Sequence, residues 1–184
     1  MNNIVTENIL ERRSVRSYNS DPVSQEDIKK IVECAINSQS AMNSQPWHLS
    51  VVTNKELLGE IDKKVVESLI DTPAGKRMQL SSDSKVFYNA PLAIFVAADK
   101  SFELAMYDCG MLIENMSLAA RSLGIGCCTI GCMRNFLKSD EGKEYREKLG
   151  IPDGFESDIC VIFGHSDNFK PAPKPREQKY IFVK

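Results

Sequence analysis

The chain has 184 residues, 42% of them apolar, with 23 basic against 25 acidic side chains and a formal charge of -2. That length buries one sizeable core and is short for two full domains, so the expectation is a single domain over residues 1–184. The near balance of charge excludes a general pull toward nucleic acid or an anionic membrane, so any basic site must be local.

The first seven residues, Met1 to Glu7, have neither the positive start nor the apolar stretch of a signal peptide, and no later run reaches membrane-spanning length. The reading is a soluble, cytoplasmic protein. Its six cysteines (34, 109, 127, 128, 132, 160) fall mostly inside apolar segments, as expected of reduced, buried thiols and not of a disulfide framework. Cys127, Cys128 and Cys132 match the spacing of neither zinc nor iron–sulfur ligands, so no metal is expected.

Val5 to Arg12 reads as a short helix. Ser24 followed by Glu26 and Asp27 marks an N-cap with an acidic first turn, predicting a helix to about Asn37 with Ile28, Ile31, Val32, Ala35 and Ile36 on one face. Leu49–Val52 reads as a strand and Lys55 to about Ile70 as a helix. Leu69 to Ser84, with Pro73 and Gly75, reads as a covering loop. Trp47 reads as a core anchor after the Pro46 turn.

Leu92–Ala98 is an unbroken apolar run of strand length, implying burial on both faces. The helix from about Phe102 to Leu123 is the longest and most apolar and belongs in the centre. Within it Gly110 suggests a close approach by another helix, consistent with a dimer seam, and Asp108 reads as a helix-surface acid, with a ligand-side role as the alternative. Gly124 supplies a left-handed C-cap. Cys127–Ile130 and Ile159–Phe163 complete four strands with a short helix, Glu144–Leu149, between them, giving a four-stranded sheet with helices on both faces. After His165 a polar, proline-rich arm ends in Tyr180–Val183, which has strand character but no sheet of its own to join; a second copy of the chain is one source.

Two motifs carry the chemistry. Arg12-Arg13-Ser14-Val15-Arg16 clusters three guanidinium groups around a hydroxyl, an arrangement that repels itself without an anion or abundant water. Ser40-Ala41-Met42-Asn43-Ser44-Gln45-Pro46-Trp47 offers neutral amides and hydroxyls suited to the polar edge of a planar heterocycle. A phosphate-bearing aromatic cofactor satisfies both.

These residues resemble the nitroreductase superfamily of FMN-dependent NAD(P)H oxidoreductases in its compact form. The resemblance runs through the Arg-Arg-Ser-Val-Arg start, Asn43-Ser44-Gln45-Pro46-Trp47, the long helix into Leu123-Gly124-Ile125-Gly126 with Ile130-Gly131 beyond, and the closing Lys174-Pro175-Arg176. It implies an α+β fold: a three-layer α/β/α arrangement with a mostly antiparallel four-stranded sheet, extended by the C-terminal strand of the partner in an intertwined homodimer, residues 165–184 forming the arm.

The resemblance also implies FMN sites at the dimer interface. Arg12, Lys174 and Arg176 match phosphate-holding positions; Ser14 matches a contact to the ribityl phosphate region, with Arg13 in the same turn. Arg16 matches the basic residue beside flavin N1 and O2. From the partner subunit, Ser40 and Asn43 match flavin-lining positions with Ala41 and Gln45 nearby. Ile130 and Gly131 match the backbone facing N5 and O4. The implied reaction is ping-pong: NADH or NADPH gives hydride to FMN N5, oxidised nicotinamide leaves, and a nitroaromatic, quinone or similar flat acceptor stacks in its place. No acid, base or nucleophile is nominated. The alternatives are a specialised flavin enzyme of the same superfamily (dehalogenase, flavin-fragmenting or enoyl-type reductase) or a flavin-binding regulatory module with little turnover. Gln39 and Met42 depart from the pattern of many relatives.

Overall fold

In the computed structural model, which describes residues 3–183, the elements run α1 Ile4–Glu11, α2 Gln25–Ile36, β1 Trp47–Val52, α3 Lys55–Leu69, α4 Pro73–Met78, β2 Leu92–Asp99, α5 Ala105–Ser122, β3 Gly126–Ile130, α6 Arg134–Lys138, α7 Glu141–Lys148 and β4 Phe155–Gly164. The ends of the expected domain, Met1, Asn2 and Lys184, lie outside the described residues.

The strands form one antiparallel sheet in the order β1-β2-β4-β3, so β2 and β4 are central. Alternation along β2 separates two cores. Ala93 and Phe95 face α3, α6 and α7, with Cys128, Ile130, Cys160 and Ile162 from β3 and β4. Leu92, Ile94, Val96 and Ala98 face α2 and α5, with Cys127, Val161 and Phe163. Burial on both faces is why β2 reads as a continuous apolar run, and the α/β/α expectation holds.

Local chemistry sets the helix starts. The Ser24 hydroxyl accepts the Asp27 amide at 3.0 Å, and the Asn54 side chain accepts the Glu56 and Leu57 amides, opening α2 and α3. Gly124, with φ of +74°, ends α5 in the left-handed conformation expected. The segment expected to be a loop from Leu69 to Ser84 instead contains α4: Thr72 accepts the Gly75 amide at 3.1 Å and Pro73 takes the first helical turn, where its missing N–H costs nothing. The five-residue α6 is also absent from the sequence expectation; with no side-chain N-cap, it is held by burial of Phe136 and Leu137.

One further expectation is corrected in this helical layer. Asp108 is not a surface acid: it is 2% exposed. Gly110 meets no heavy atom within 4 Å of where its Cβ would sit, so within the described chain its surface is open, as a seam with a second copy requires. Trp47 is half-buried against the α2–α5 core. All six cysteines are free thiols, four of them buried, and burial pushes Cys109 and Cys127 up to about 11, so they stay protonated at neutral pH. Among the described residues no helix is long and apolar enough to cross a membrane, and no group of three or more His, Cys, Asp or Glu is placed to hold a metal. Tyr180–Val183 joins no strand of the described chain, and its side chains are exposed.

Candidate functional site

Immediately after α1 the chain turns onto the free edge of β3. The Val15 amide donates to the Cys127 carbonyl at 2.9 Å in a single parallel bridge between Ser14 and Cys127. Val15 is buried and sits so close to Gly126 that a Cβ there would lie 3.0 Å from a Val15 methyl, so glycine at 126 lets the segment dock. With Val15 pinned inward, the neighbouring Ser14 and Arg16 belong to the opposite, outer side.

The arm returns to the same place. The Asn19 amide donates to the His165 carbonyl at 2.8 Å, Lys170 pairs with Glu11 at 3.2 Å, and Arg121, stacked on Phe169 at 5.6 Å, also pairs with Glu11. Glu11 is thus a carboxylate shared by α5 and the arm. Beyond it a cavity of about 160 Å³ is lined by Arg12, Arg13, Ser14, Arg16, Pro171, Ala172, Lys174 and Arg176. Five of those eight residues are cationic and none is acidic, which is the chemistry of an anion cradle.

The cations are not equivalent. Arg13 spends its guanidinium on the Leu10 and Arg12 carbonyls, at 2.7 and 2.8 Å, closing the C-terminus of α1. Arg12 is steered by Glu114 of α5 at 3.5 Å. Arg16, Lys174 and Arg176 have no ion-pair partner among the described residues, leaving their charge for a ligand.

Glu11 also makes the arm tether sensitive to acid. The hydrogen bond and charge of Lys170, with Arg121 and Arg13 adding to them, hold its carboxyl below the ordinary 4.5. A depressed carboxyl stabilises when ionised, so its contribution is full above pH 4.5 and fades as pH falls through the folded value. The expected result is a lower melting temperature for Glu11→Gln than for the unsubstituted protein at pH 7, the difference closing as both are acidified. A difference independent of pH would show that the tether is not ionic.

The second motif folds as a tight turn, with a short 3₁₀ segment over Ala41–Asn43. Its backbone is unusual: Met42, Asn43 and Gln45 have φ of +56°, +54° and +47°, left-handed values that side chains disfavour. The Ser40 hydroxyl accepts the Gln45 amide at 3.1 Å, and the Gln45 side chain donates to the Asn43 side chain at 3.3 Å. The turn abuts the first turn of α5, where Ala41 meets Asp108.

Within one protomer, then, the cradle gathers Arg12, Arg13, Ser14, Arg16, Lys174 and Arg176, while Ser40, Ala41, Asn43 and Gln45 form a separate group, and none of them lines the cradle. Ile130 and Gly131 lie at the far end of β3 from Cys127, roughly 10 Å along the strand. Within one protomer the three groups lie in three places, and Ser40, Ala41, Asn43 and Gln45 are the group the resemblance draws from the partner subunit.

Several residues were missed by sequence reasoning. Glu11 and Glu114 position the cradle, and Asn115 holds the segment before the turn. The available signal was the i, i+7 spacing that puts Asp108 and Asn115 on one face of the helix. A larger cavity of about 340 Å³, between α3 and the turn before β2, is lined in part by Tyr18, Lys55, Asp62 and Lys85. There burial pushes the Asp62 carboxyl up, partly offset by the Phe87 amide that donates to it at 2.9 Å.

An acid-free cationic cradle thus sits at the edge of an antiparallel sheet covered by helices on both faces, an arrangement of the α+β class. The profile of the Nitroreductase family matches residues 9–165, and the chain belongs to that family. A nitroreductase with bound FMN from Desulfitobacterium hafniense DCB-2 is 33% identical and superposes with a TM-score of 0.90 over 100% of both chains. A nitroreductase with bound FMN from Bacteroides fragilis NCTC 9343 is 29% identical, with a TM-score of 0.90 over 99% of each chain. A relative from Archaeoglobus fulgidus, provisionally named NADH dehydrogenase/NAD(P)H nitroreductase, is 33% identical over 185 residues, 92% of this chain and 95% of its own.

Proposed function

We propose that the protein is an FMN-dependent oxidoreductase that uses NADH or NADPH to reduce nitroaromatics, quinones or similarly flat, electron-poor acceptors. The observation that carries this reading is the cradle: five cations and no acid around a cavity whose Arg16, Lys174 and Arg176 have no ion-pair partner among the described residues. That donor set fits a phosphate dianion. The relatives with bound FMN support the identity of the phosphate's owner.

When bound, FMN would supply the hydride and two-electron transfer chemistry. The chain's own work is binding, orientation and charge. Arg12, Lys174 and Arg176 hold the phosphate, and Ser14 donates its hydroxyl beside it. Arg16 would place positive charge beside the pyrimidine edge of a bound flavin, favouring its electron-rich form. Ile130 and Gly131 would present main chain toward the reactive edge, and Ser40, Ala41, Asn43 and Gln45 would line the ring from a second copy of the chain. A homodimer is favoured by the three separate groups within one protomer and by apolar side chains left exposed on α1, α5 and the arm, among them Leu10, Tyr107 and Phe182.

The test is an absorbance spectrum before and after anaerobic addition of NADH or NADPH. Flavin bands that bleach support the reading; a colourless protein that takes up no FMN overturns it. Arg12→Ala is expected to weaken FMN binding by about 2 kcal/mol, the worth of a charge-assisted contact. Unchanged affinity in a fluorescence titration would place the phosphate elsewhere.

A further inference from the structure

Three residues of α5, spaced i, i+3 and i+7, touch the segment that leads into the left-handed turn. The Asn115 amide donates to the Ser38 hydroxyl at 2.7 Å, the Gln39 amide donates to the Met111 sulfur at 3.1 Å, and the Ala41 N–H reaches the Asp108 carboxylate at 3.2 and 3.3 Å. Asp108 is the odd member. It is a carboxylate 2% exposed, and the Ala41 amide is the one hydrogen-bond donor it meets among the described residues.

Burying a carboxylate on so little hydrogen bonding is costly, and the fold keeps it where the next residues adopt φ of +56° and +54°. The turn's internal bonds, Gln45 to Ser40 and Ser44 to Ala41, shape it but do not attach it to the body of the protein. Asp108 does so at the residue where the unusual backbone begins.

We propose that Asp108 is a positioning residue for the flavin site: its carboxylate pins the Ala41 amide and so sets the turn that carries Ser40, Asn43 and Gln45 to the flavin held in the partner subunit's cradle. This deepens, and rests on, the function proposed above. Asp108 does not touch the cofactor. It acts through Ala41, and it acts across the dimer.

The experiment uses the holoprotein, with FMN as the probe. Asp108→Ala is expected to weaken FMN binding roughly tenfold and to shift the visible circular dichroism of the bound flavin, with far-ultraviolet dichroism unchanged. Asp108→Asn retains an acceptor for the Ala41 amide and is expected to restore most of that affinity. Should Asp108→Ala not be recovered folded, Ala41→Pro removes the same hydrogen bond from the donor side, and Ser40, at φ -140° and ψ 149°, is already in the extended region that precedes proline.

The decisive preparation is a heterodimer of one Asp108→Ala chain with one Arg12→Ala chain, purified through two tags. If Asp108 serves the partner's cradle, one site of the heterodimer is intact and it binds a single FMN with unsubstituted affinity. Two weakened sites would mean that Asp108 serves its own protomer and would overturn the proposal, as would unchanged affinity and dichroism in Asp108→Ala. Failure of the unsubstituted protein to bind FMN would instead overturn the function on which the proposal rests.

Discussion

Removing residues 171–184 is expected to weaken FMN binding by roughly a hundredfold or more and to shift the protein toward monomer. The truncation deletes Lys174 and Arg176, two of the three cradle cations engaged by neither an ion pair nor a side-chain hydrogen bond among the described residues, together with Pro171 and Ala172 of the wall. Each lost charge-assisted contact is worth about 1.5–3 kcal/mol, and two of them multiply to that range. Arg12, Arg13 and Arg16 remain, but with one side of the cradle open to water their field on a bound anion is screened. The same deletion removes Tyr180, Ile181, Phe182 and Val183, whose exposure in one protomer suits them to a second copy. FMN titration and sedimentation read the two effects separately. A truncated protein that stays dimeric and fully flavinylated would leave the arm without a role.

The largest effect on stability is expected at Phe95. It lies in the middle of β2 with 1% of its surface exposed, its ring packed edge-on against Phe87 at 6.1 Å and facing the α3 layer. Phe95→Ala leaves a void bounded by strands paired on both sides, which cannot move in to fill it, and such truncations cost about 3–5 kcal/mol. For a domain of this size that lowers the melting temperature by on the order of 10 °C. Because Phe95 faces away from α5 and lines neither the cradle nor the turn, the variant that remains folded at low temperature should bind FMN with unchanged affinity. A loss of FMN at a temperature where far-ultraviolet dichroism shows an intact fold would reveal coupling between this core and the site.

The four strands were legible in the sequence because each carries its own evidence. Leu92–Ala98 is apolar at every position as both its faces are covered, and the Ser24 cap and the glycine at 124 mark helix ends through local hydrogen bonding and backbone conformation. What escaped was small or context-dependent. The helix at Pro73–Met78 follows a recognisable Thr-Pro start but is too short to show a periodic face, and Arg134–Lys138 has no cap to announce it. Asp108 was misread because an isolated acid on a helix is ordinarily solvated, and nothing local shows that the turn at Ala41 folds over it.

The residue types of the site were determined by the sequence alone: three arginines and a serine within five positions, a basic pair 158 residues or more beyond the last of them, and a polar turn between the second helix and the first strand. Charge repulsion and hydrogen-bonding capacity are properties of the side chains and need no fold to be read. The tertiary structure decided which of those charges remain free to bind. Glu114 steers Arg12, the end of α1 consumes Arg13, and Glu11 ties the arm through Lys170 and Arg121 so that Lys174 and Arg176 face Arg16. Such pairings depend on distances between residues far apart in the chain, and only packing around β3 and α5 sets those distances.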